Sequence, residues 1–214
     1  MFVRKAVIFD LDGVLIDSLD AHFAAWTEFW RRRGKRHTRK MFDDIVATAT
    51  EETLKLRNRT FGTNIPIRQG VLEREKIFHH YLHKVRPYPG AHELLKALSA
   101  DYRIALATST GRKLTRYLLN KFKLTRYFDA VVTKNDVTRS KPDPAIYRLA
   151  ARKLGVRPRD AVVIEDAPIG ILAAKRAGMK VIAVEQTFPR RKLAKADVVV
   201  RSIRDVRLRE AGDA

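Results

Sequence analysis

The sequence predicts an α/β protein in which a doubly wound parallel sheet carries an inserted, all-helical segment. From residue 91 onward, short apolar runs alternate with helical stretches, which is typical of a parallel sheet covered by helices. Residues 18–86 instead show helical patterns and no convincing strand, and they interrupt the alternation after the first apolar run. We therefore expect a core domain formed by residues 1–17 and 87–214 and a helical domain formed by residues 18–86.

The first apolar run, 6–9, predicts a strand that is buried on both faces. The insertion is expected to contain helices over 21–34, 41–58 and 68–85, and the prolines and glycine at 87–90 end it. The later apolar runs predict strands over 103–107, 130–133, 161–164, 180–184 and 197–200. The helices between them are expected over 91–100, 113–122, a stretch ending at 154, and 169–177.

Two carboxylates, Asp10 and Asp12, follow the first predicted strand and precede Gly13. Like charges at the end of a buried strand raise the pKa of at least one carboxyl group unless a cation lies between them. Mg²⁺ takes oxygen ligands and leaves positions for phosphate and water. A simple turn is the alternative, because Asp and Gly are ordinary turn residues. A calcium loop is excluded, since its glycine and glutamate would fall at Leu15 and Ala21.

Polar groups also follow three later predicted strands, and the carboxyl ends of parallel strands lie at one edge of the sheet, where ligands bind. These groups are Thr108 with Ser109, Lys141, and Glu165 with Asp166. A carboxylate can attack phosphorus, a lysine and a hydroxyl can hold phosphoryl oxygens, and further carboxylates can hold a metal ion. Together the strand ends predict a phosphoryl-transfer site.

Four segments resemble the motifs of the haloacid dehalogenase superfamily of phosphatases, in the same order. They read D-L-D-G-V-L-I-D-S (10–18), A-T-S-T (107–110), S-K-P-D-P (140–144) and I-E-D-A-P-I-G-I-L-A-A (164–174). The helical insertion after the first motif resembles the small cap of the subfamily that includes phosphoglycolate phosphatase and β-phosphoglucomutase. The resemblance covers nearly the whole chain.

The resemblance implies a role for each catalytic position. Asp10 would be the nucleophile that forms an aspartyl phosphate, and Asp12 the general acid toward the leaving group and then the base for water. Thr108 would hydrogen-bond the phosphoryl group and Lys141 would neutralise it. Ser109, beside Thr108, is a candidate substrate-binding residue.

The resemblance also implies a Mg²⁺ cofactor. The ion would be bound by the Asp10 carboxylate, the Asp12 backbone carbonyl and Asp166, with Glu165 supporting the metal site. One departure from the pattern is Ala167, where relatives commonly have Ser or Thr. A helix cap is lost there, but no proposed catalytic atom.

The reaction expected from the resemblance is Mg²⁺-dependent hydrolysis of a small phosphorylated metabolite, phosphoglycolate or a sugar phosphate. Asp12 argues against a dehalogenase, because dehalogenases of the superfamily lack that aspartate. A sugar phosphomutase similar to β-phosphoglucomutase is the alternative. The mutase holds a second phosphate with a cap arginine where this chain has Thr50 or Glu51, although Arg57 or Arg59 could substitute. Hydrolysis is therefore favoured.

Substrate choice is assigned to the cap, where His22 and Trp26 resemble the His-x-x-Ala-Trp stretch of the mutase. His22 is accordingly a candidate substrate-binding residue. A partly buried histidine with a structural role is the alternative.

The chain has 44 Lys and Arg against 24 Asp and Glu, a formal charge of +20. Such a charge raises the alternative of a basic nucleic-acid-binding protein that uses the same fold. Apart from one cluster at 31–40, the basic residues are scattered, and the four motifs are intact. A nucleic-acid partner is thus not expected. The expected partner is a small phosphorylated metabolite, and the protein is expected to be a monomer or homodimer.

The chain has no cysteine, so a metal must be held by carboxylates or histidine. No stretch approaches the roughly 20 apolar residues that span a membrane, and no signal peptide is recognisable, which predicts a cytoplasmic protein without a membrane partner. Four Asn, two Gln and many Arg suggest a heat-stable protein from a thermophile.

Overall fold

A computed structural model describes residues 6–46 and 48–208 of the chain. The chain divides into two compact units, one formed by Met1–Ile16 with Pro87–Ala214 and the other by Asp17–Arg86. In chain order the strands are β1 (Ala6–Phe9), β2 (Ile16–Asp17), β3 (Arg86–Pro87), β4 (Arg103–Thr108), β5 (Ala130–Thr133), β6 (Ala161–Glu165), β7 (Lys180–Val184) and β8 (Val198–Val200). The helices are α1 (Leu19–Arg31), α2 (Arg39–Asp43), α3 (Thr50–Phe61), α4 (Ile67–His80), α5 (Ala91–Leu98), α6 (Arg112–Lys121), α7 (Ala145–Leu154) and α8 (Pro168–Arg176).

The first unit contains a six-stranded sheet in the order β5-β4-β1-β6-β7-β8, and every pair in it is parallel. From β1 the chain builds outward through β4 and β5 on one side, then through β6, β7 and β8 on the other. The prediction of a doubly wound parallel sheet is therefore confirmed. Strand order reverses at β1, and such a reversal opens a ligand-binding crevice at the carboxyl ends of the strands.

The centre of the sheet is buried because its strands are almost wholly apolar. All four residues of β1 have no exposed surface, as is expected for a strand with helices on the sheet's faces. Helix α7 packs on β1, β4 and β5, and α8 packs on β6 and β7. Phe9, the last residue of β1, pairs with Leu106 of β4 and Ile164 of β6, so the three strands end within two residues of one another.

The second unit is helical. Helix α1 packs against α4, and α4 against α3. Three aromatic residues of α1 are buried, and the Phe29 ring meets the other two edge to face, at 5.0 Å from Trp30 and 5.6 Å from Trp26 between centroids. Such aromatic pairs stabilise a fold by more than the burial of their apolar surface alone contributes. No helix within 6–46 or 48–208 has the length and apolar character needed to cross a membrane.

The prediction of one helix over 41–58 is wrong. Helix α2 ends at Asp43, and α3 begins at Thr50. Two acidic residues, Glu51 and Glu52, occupy the first turn of α3, where carboxylates interact favourably with the helix dipole. Acidic residues in the middle of a presumed helix were the signal of a second N-terminus.

The buried His37 of this unit makes the stability sensitive to acid. Its exposed fraction is 4%, and its ring centroid lies 6.2 Å from that of Phe23 and 6.5 Å from that of Phe42. Neither ring nitrogen has a hydrogen-bond partner in the described part of the chain. Burial, with the charge of Arg57, lowers the pKa of His37 from 6.5 to about 4. The unfolded chain therefore takes up a proton between these values that the folded protein does not. The contribution of the neutral His37 ring to the free energy of unfolding is fully present above about pH 6.5. As the pH drops to 4, up to about 3 kcal/mol of it is lost.

We expect His37→Leu to reduce this acid sensitivity. Between neutral pH and about pH 4.5, the melting temperature should fall less for the variant than for wild type. The exposed His79, replaced by Gln, serves as the matched control and should behave as wild type. Equal acid shifts for wild type and His37→Leu would show that His37 does not titrate on unfolding.

Candidate active site

The candidate site lies at the carboxyl ends of β1, β4 and β6. Asp10 follows β1, and its backbone N–H donates to the carbonyl of Ile164 at 3.0 Å, which continues the pairing of β1 with β6. Glu165 is the last residue of β6, and Asp166 follows it. Since the strands are parallel and in register, the carboxyl group of Asp10 meets those of Glu165 and Asp166, more than 150 residues later in the chain, at one edge of the sheet.

Lys141 joins this group from the segment between β5 and α7. Its Nζ donates to Asp10 Oδ1 at 2.9 Å and to Glu165 Oε1 at 2.7 Å. The Lys141 side chain is 5% exposed. Because removing charges from water is costly, buried ion pairs are stable only when their geometry is good. The structure thus brings together Asp10, Glu165 and Lys141, three residues predicted from the motifs.

The carboxylate of Glu165 accepts four hydrogen bonds. Its Oε1 accepts from Lys141 Nζ and from the hydroxyl of Tyr147, each at 2.7 Å. Its Oε2 accepts from the backbone N–H groups of Asp166 at 2.9 Å and Ala167 at 3.0 Å. Each oxygen therefore receives two donors, which fixes the carboxylate in position.

The sequence analysis missed two residues that hold Glu165. Tyr147 of α7 is fully buried, donates to Glu165, and places its ring 4.9 Å from Lys141 Nζ. Gly170 of α8 makes room for the carboxylate, because a Cβ there would lie 1.6 Å from Glu165 Oε1. A glycine inside a helical pattern was a signal for such a close approach. Tyr147 gave no signal, because it reads as an apolar position of α7.

A further close approach occurs at Gly13, beside Asp166. Gly13 has a φ of +81°, and a Cβ there would lie 1.9 Å from Asp166 Oδ2 and 2.6 Å from Thr187 Oγ1. The Thr187 hydroxyl is buried beside the Asp166 carboxyl group, and it acts to lower the pKa of that group. Thr187 was also missed from the sequence, which gave no reason to single out a threonine after β7.

Asp10, Glu165 and Asp166 form a group that could hold a metal ion. One carboxylate oxygen from each lies within 4.8 Å of the others, and all three residues are buried. Three buried carboxylates accompany one ammonium group, that of Lys141. This oxygen-only, charge-rich set fits a hard divalent cation such as Mg²⁺.

The pKa values of the cluster reflect this excess of negative charge. Burial, opposed by the Lys141 ammonium, raises the pKa of Asp10 to about 7. Burial and the neighbouring carboxylates of Glu165 and Asp10 raise the pKa of Asp166 well above its usual value. Burial acts to raise the pKa of Glu165 as well, but Lys141 and the hydrogen bonds lower it. Burial likewise opposes the charge of Lys141, but the Asp10 and Glu165 carboxylates hold its pKa well above the usual range.

The loop after β4 contributes hydroxyl groups. Thr108 ends β4 and is 1% exposed, whereas Ser109 is exposed. The backbone N–H of Thr110 donates to Thr108 Oγ1 at 3.0 Å, and Thr110 Oγ1 donates to Asp12 Oδ2 at 2.6 Å. Thr110 is the last residue of the A-T-S-T motif, and the sequence predicted no role for it. This loop therefore connects the predicted phosphoryl-binding hydroxyl with the predicted acid–base carboxylate.

His22 lies in the other unit, on α1. Its ring stacks on Phe78 with centroids 4.4 Å apart, and its Nδ1 contacts Nη2 of the buried Arg74. The Arg74 guanidinium also lies over the rings of Trp26, at 5.2 Å, and Phe78, at 5.0 Å. The substrate-binding role of His22 stays a prediction.

A doubly wound sheet with carboxylates, a lysine and hydroxyl groups at its carboxyl edge is suited to phosphoryl transfer. Residues 7–184 match the family model of the haloacid dehalogenase-like hydrolases, and the chain belongs to this family. The predictions of the family and of an enzyme of the phosphatase type are confirmed by this match and by the relatives.

Two relatives are similar over nearly their whole length. The chain is 32% identical over 212 residues to validoxylamine A 7'-phosphate phosphatase of Streptomyces hygroscopicus subsp. limoneus, covering 95% of this chain and 96% of the relative. It is 33% identical over 213 residues to β-phosphoglucomutase of Bacillus subtilis, covering 95% and 92%. Among solved structures, a hydrolase from Pseudomonas syringae superposes with a TM-score of 0.84 at 27% identity, covering 94% and 95% of the two chains.

Proposed function

We propose that the protein is a Mg²⁺-dependent phosphoric monoester hydrolase that acts through an aspartyl phosphate on Asp10. The observation that carries the proposal is the contact of Lys141 Nζ with Asp10 Oδ1, at 2.9 Å, at a sheet edge that also holds Asp12. A nucleophile, a fixed cation and a second carboxylate are the groups that phosphoryl transfer requires. The similarity to a named phosphatase supports hydrolysis.

The reaction has two steps. A carboxylate oxygen of Asp10 bonds to phosphorus while the bond from phosphorus to the leaving oxygen breaks, and Asp12 gives that oxygen a proton. A water oxygen then bonds to phosphorus, Asp12 takes the proton, and the bond to Asp10 breaks. Lys141 offsets phosphoryl charge in both steps. The Thr108 hydroxyl accepts a hydrogen bond from Thr110 N, so its own hydrogen can be donated to a phosphoryl oxygen.

The metal ligands proposed are the carboxylates of Asp10 and Asp166 and the backbone carbonyl of Asp12. Glu165 is proposed to support the site, because both of its oxygens already accept two hydrogen bonds. The bound cation would offset the carboxylate charge and neutralise phosphoryl oxygens. A cation held there would also keep Asp10 ionised, since a nearby cation lowers the pKa of a carboxyl group.

A phosphomutase is the second candidate, because a β-phosphoglucomutase is among the relatives. A mutase needs a group for the second phosphate of its intermediate. Thr50 and Glu51, at the position of the mutase arginine, form the first turn of α3. Arg57 is buried and donates to the backbone carbonyl of Met41, which gives it a structural use, and Arg59 is exposed. These placements support hydrolysis.

We further propose that the helical unit serves as the cap and that His22 helps to bind substrate. The substrate class is a small phosphorylated metabolite, phosphoglycolate or a sugar phosphate. A nucleic-acid role has no support from the site, where the lysine pairs with buried carboxylates.

The test is phosphate release from phosphoglycolate, hexose phosphates, glycerol phosphate and nucleotides, with and without Mg²⁺. We expect metal-dependent release from at least one small phosphomonoester and loss of that activity on chelation, with recovery when Mg²⁺ is restored. Interconversion of glucose 1-phosphate and glucose 6-phosphate with little free phosphate would instead favour the mutase. Release that persists unchanged in chelator would contradict the metal-dependent mechanism.

A further inference from the structure

We infer that Thr110 is a positioning residue for the acid–base carboxylate of Asp12, an inference that rests on the proposed function. Its hydroxyl donates to Asp12 Oδ2 at 2.6 Å, across 98 positions of sequence. A hydrogen bond to one carboxyl oxygen fixes the rotation of the group. The other oxygen, Oδ1, is then the one that exchanges a proton with the leaving group and with water.

The backbone on both sides of this hydrogen bond is held in place. The N–H of Thr110 donates to Thr108 Oγ1 at 3.0 Å, and Thr115 Oγ1 donates to the carbonyl of Thr110 at 3.4 Å. On the other side, Asp12 forms a β-bridge with Ile16, and the N–H of Gly13 donates to the Ile16 carbonyl at 2.8 Å. The hydrogen bond between Thr110 and Asp12 therefore joins two segments that are each anchored by their own backbone.

Through Thr110, one short loop serves both halves of the reaction. Its N–H orients the Thr108 hydroxyl, which is proposed to bind the phosphoryl group, and its hydroxyl orients Asp12, which is proposed to move protons. Proton transfer is efficient when donor and acceptor are held at hydrogen-bond distance, and small misplacements reduce the rate strongly. A valine at this position would keep the shape of the side chain and remove the hydrogen bond.

The expected signature of Thr110→Val is a dependence on the leaving group. The value of kcat/KM reports formation of the aspartyl phosphate, and an alkyl phosphate needs a proton from Asp12 in that step. A p-nitrophenolate ion leaves without one. We expect kcat/KM to fall about 10- to 100-fold for the alkyl phosphate that wild type hydrolyses fastest in the panel above, and less than about 3-fold for p-nitrophenyl phosphate.

A second readout separates the two chemical steps. Hydrolysis of the aspartyl phosphate still needs Asp12 as base, whichever substrate formed it. With p-nitrophenyl phosphate, Thr110→Val should therefore release a burst of nitrophenol, about one per active site, before a slower steady rate. A general loss of folding would reduce the burst and the steady rate together.

Three variants complete the test. Thr110→Ser keeps a hydroxyl and should restore most of the alkyl phosphate activity. Thr125→Val, which removes an exposed hydroxyl that donates to Asn120 at 2.7 Å, should match wild type. Equal losses of kcat/KM for both substrates in Thr110→Val would overturn the inference and leave the proposed function standing. Full activity of Asp12→Asn on the alkyl phosphate would overturn the acid–base role itself.

Discussion

Asp10→Asn is expected to lower the rate of phosphate release by roughly four orders of magnitude or more, because an amide oxygen does not form the covalent intermediate. The protein should remain folded. Burial raises the pKa of Asp10 to about 7, so the folded, metal-free protein already disfavours the charged form at this position. A neutral amide of the same shape also relieves repulsion with Glu165. Lys141 keeps Glu165 as its partner at 2.7 Å.

The measurement combines activity, melting temperature and labelling with radioactive phosphate. Wild type should carry label on the protein during turnover, and Asp10→Asn should carry none. Asp101→Asn, a change at an exposed aspartate of the same unit, is the matched control and should retain both activity and label. A folded Asp10→Asn variant that still turns over and is labelled would exclude Asp10 as the nucleophile.

The positions of the site residues could be predicted because they depend on local patterns. An apolar run of four residues, Ala6–Phe9, is a strand in the structure. Parallel strands in register place their carboxyl ends together, so a polar residue after each apolar run is sufficient to locate Asp10, Thr108 and Glu165 at one edge. The order of the hydrophobic runs determines these positions, whatever the packing of the side chains.

The contacts that support these residues could not be predicted in the same way. Tyr147 meets Glu165 across 18 positions, and Thr110 meets Asp12 across 98, so both contacts depend on how helices and loops dock on the sheet. A buried tyrosine and a loop threonine have ordinary structural uses, and their hydrogen-bond partners are not encoded in local spacing. The break between α2 and α3, in contrast, could have been predicted, because Glu51 and Glu52 are a local signal for the start of a helix.

Hydrogen bonds and ion pairs stabilise the buried charges of Lys141 and Glu165. The Lys141 ammonium lies between two carboxylates, and Glu165 receives two backbone N–H groups and a tyrosine hydroxyl in addition. Such hydrogen bonds keep Glu165 ionised, whereas burial raises the pKa of Asp10 and Asp166. Glu165 therefore supplies a permanent negative charge that holds Lys141 protonated and in place. The charges of Asp10 and Asp166 depend on the cation we propose.

Glu165→Gln, usually a conservative change, is accordingly expected to be severe. The amide has one NH₂ group, and one orientation directs it at the Lys141 ammonium, whereas the other directs it at the N–H groups of Asp166 and Ala167. The side chain also has little room to move away, because α8 approaches Oε1 at Gly170. Removing one member of a buried ion pair costs about 3–5 kcal/mol, so the free energy of unfolding should fall by that amount.

Activity should fall as well, by about 100-fold or more, because Lys141 would lose the partner that fixes its Nζ beside Asp10. The matched control is Glu185→Gln, at the end of β7. The Glu185 carboxylate accepts a hydrogen bond from the N–H of Arg190 at 2.9 Å, and an amide can turn its oxygen toward that donor. Its unfolding free energy should change by less than about 1 kcal/mol. If Glu165→Gln were as stable and as active as Glu185→Gln, the four hydrogen bonds to Glu165 would not be what positions Lys141.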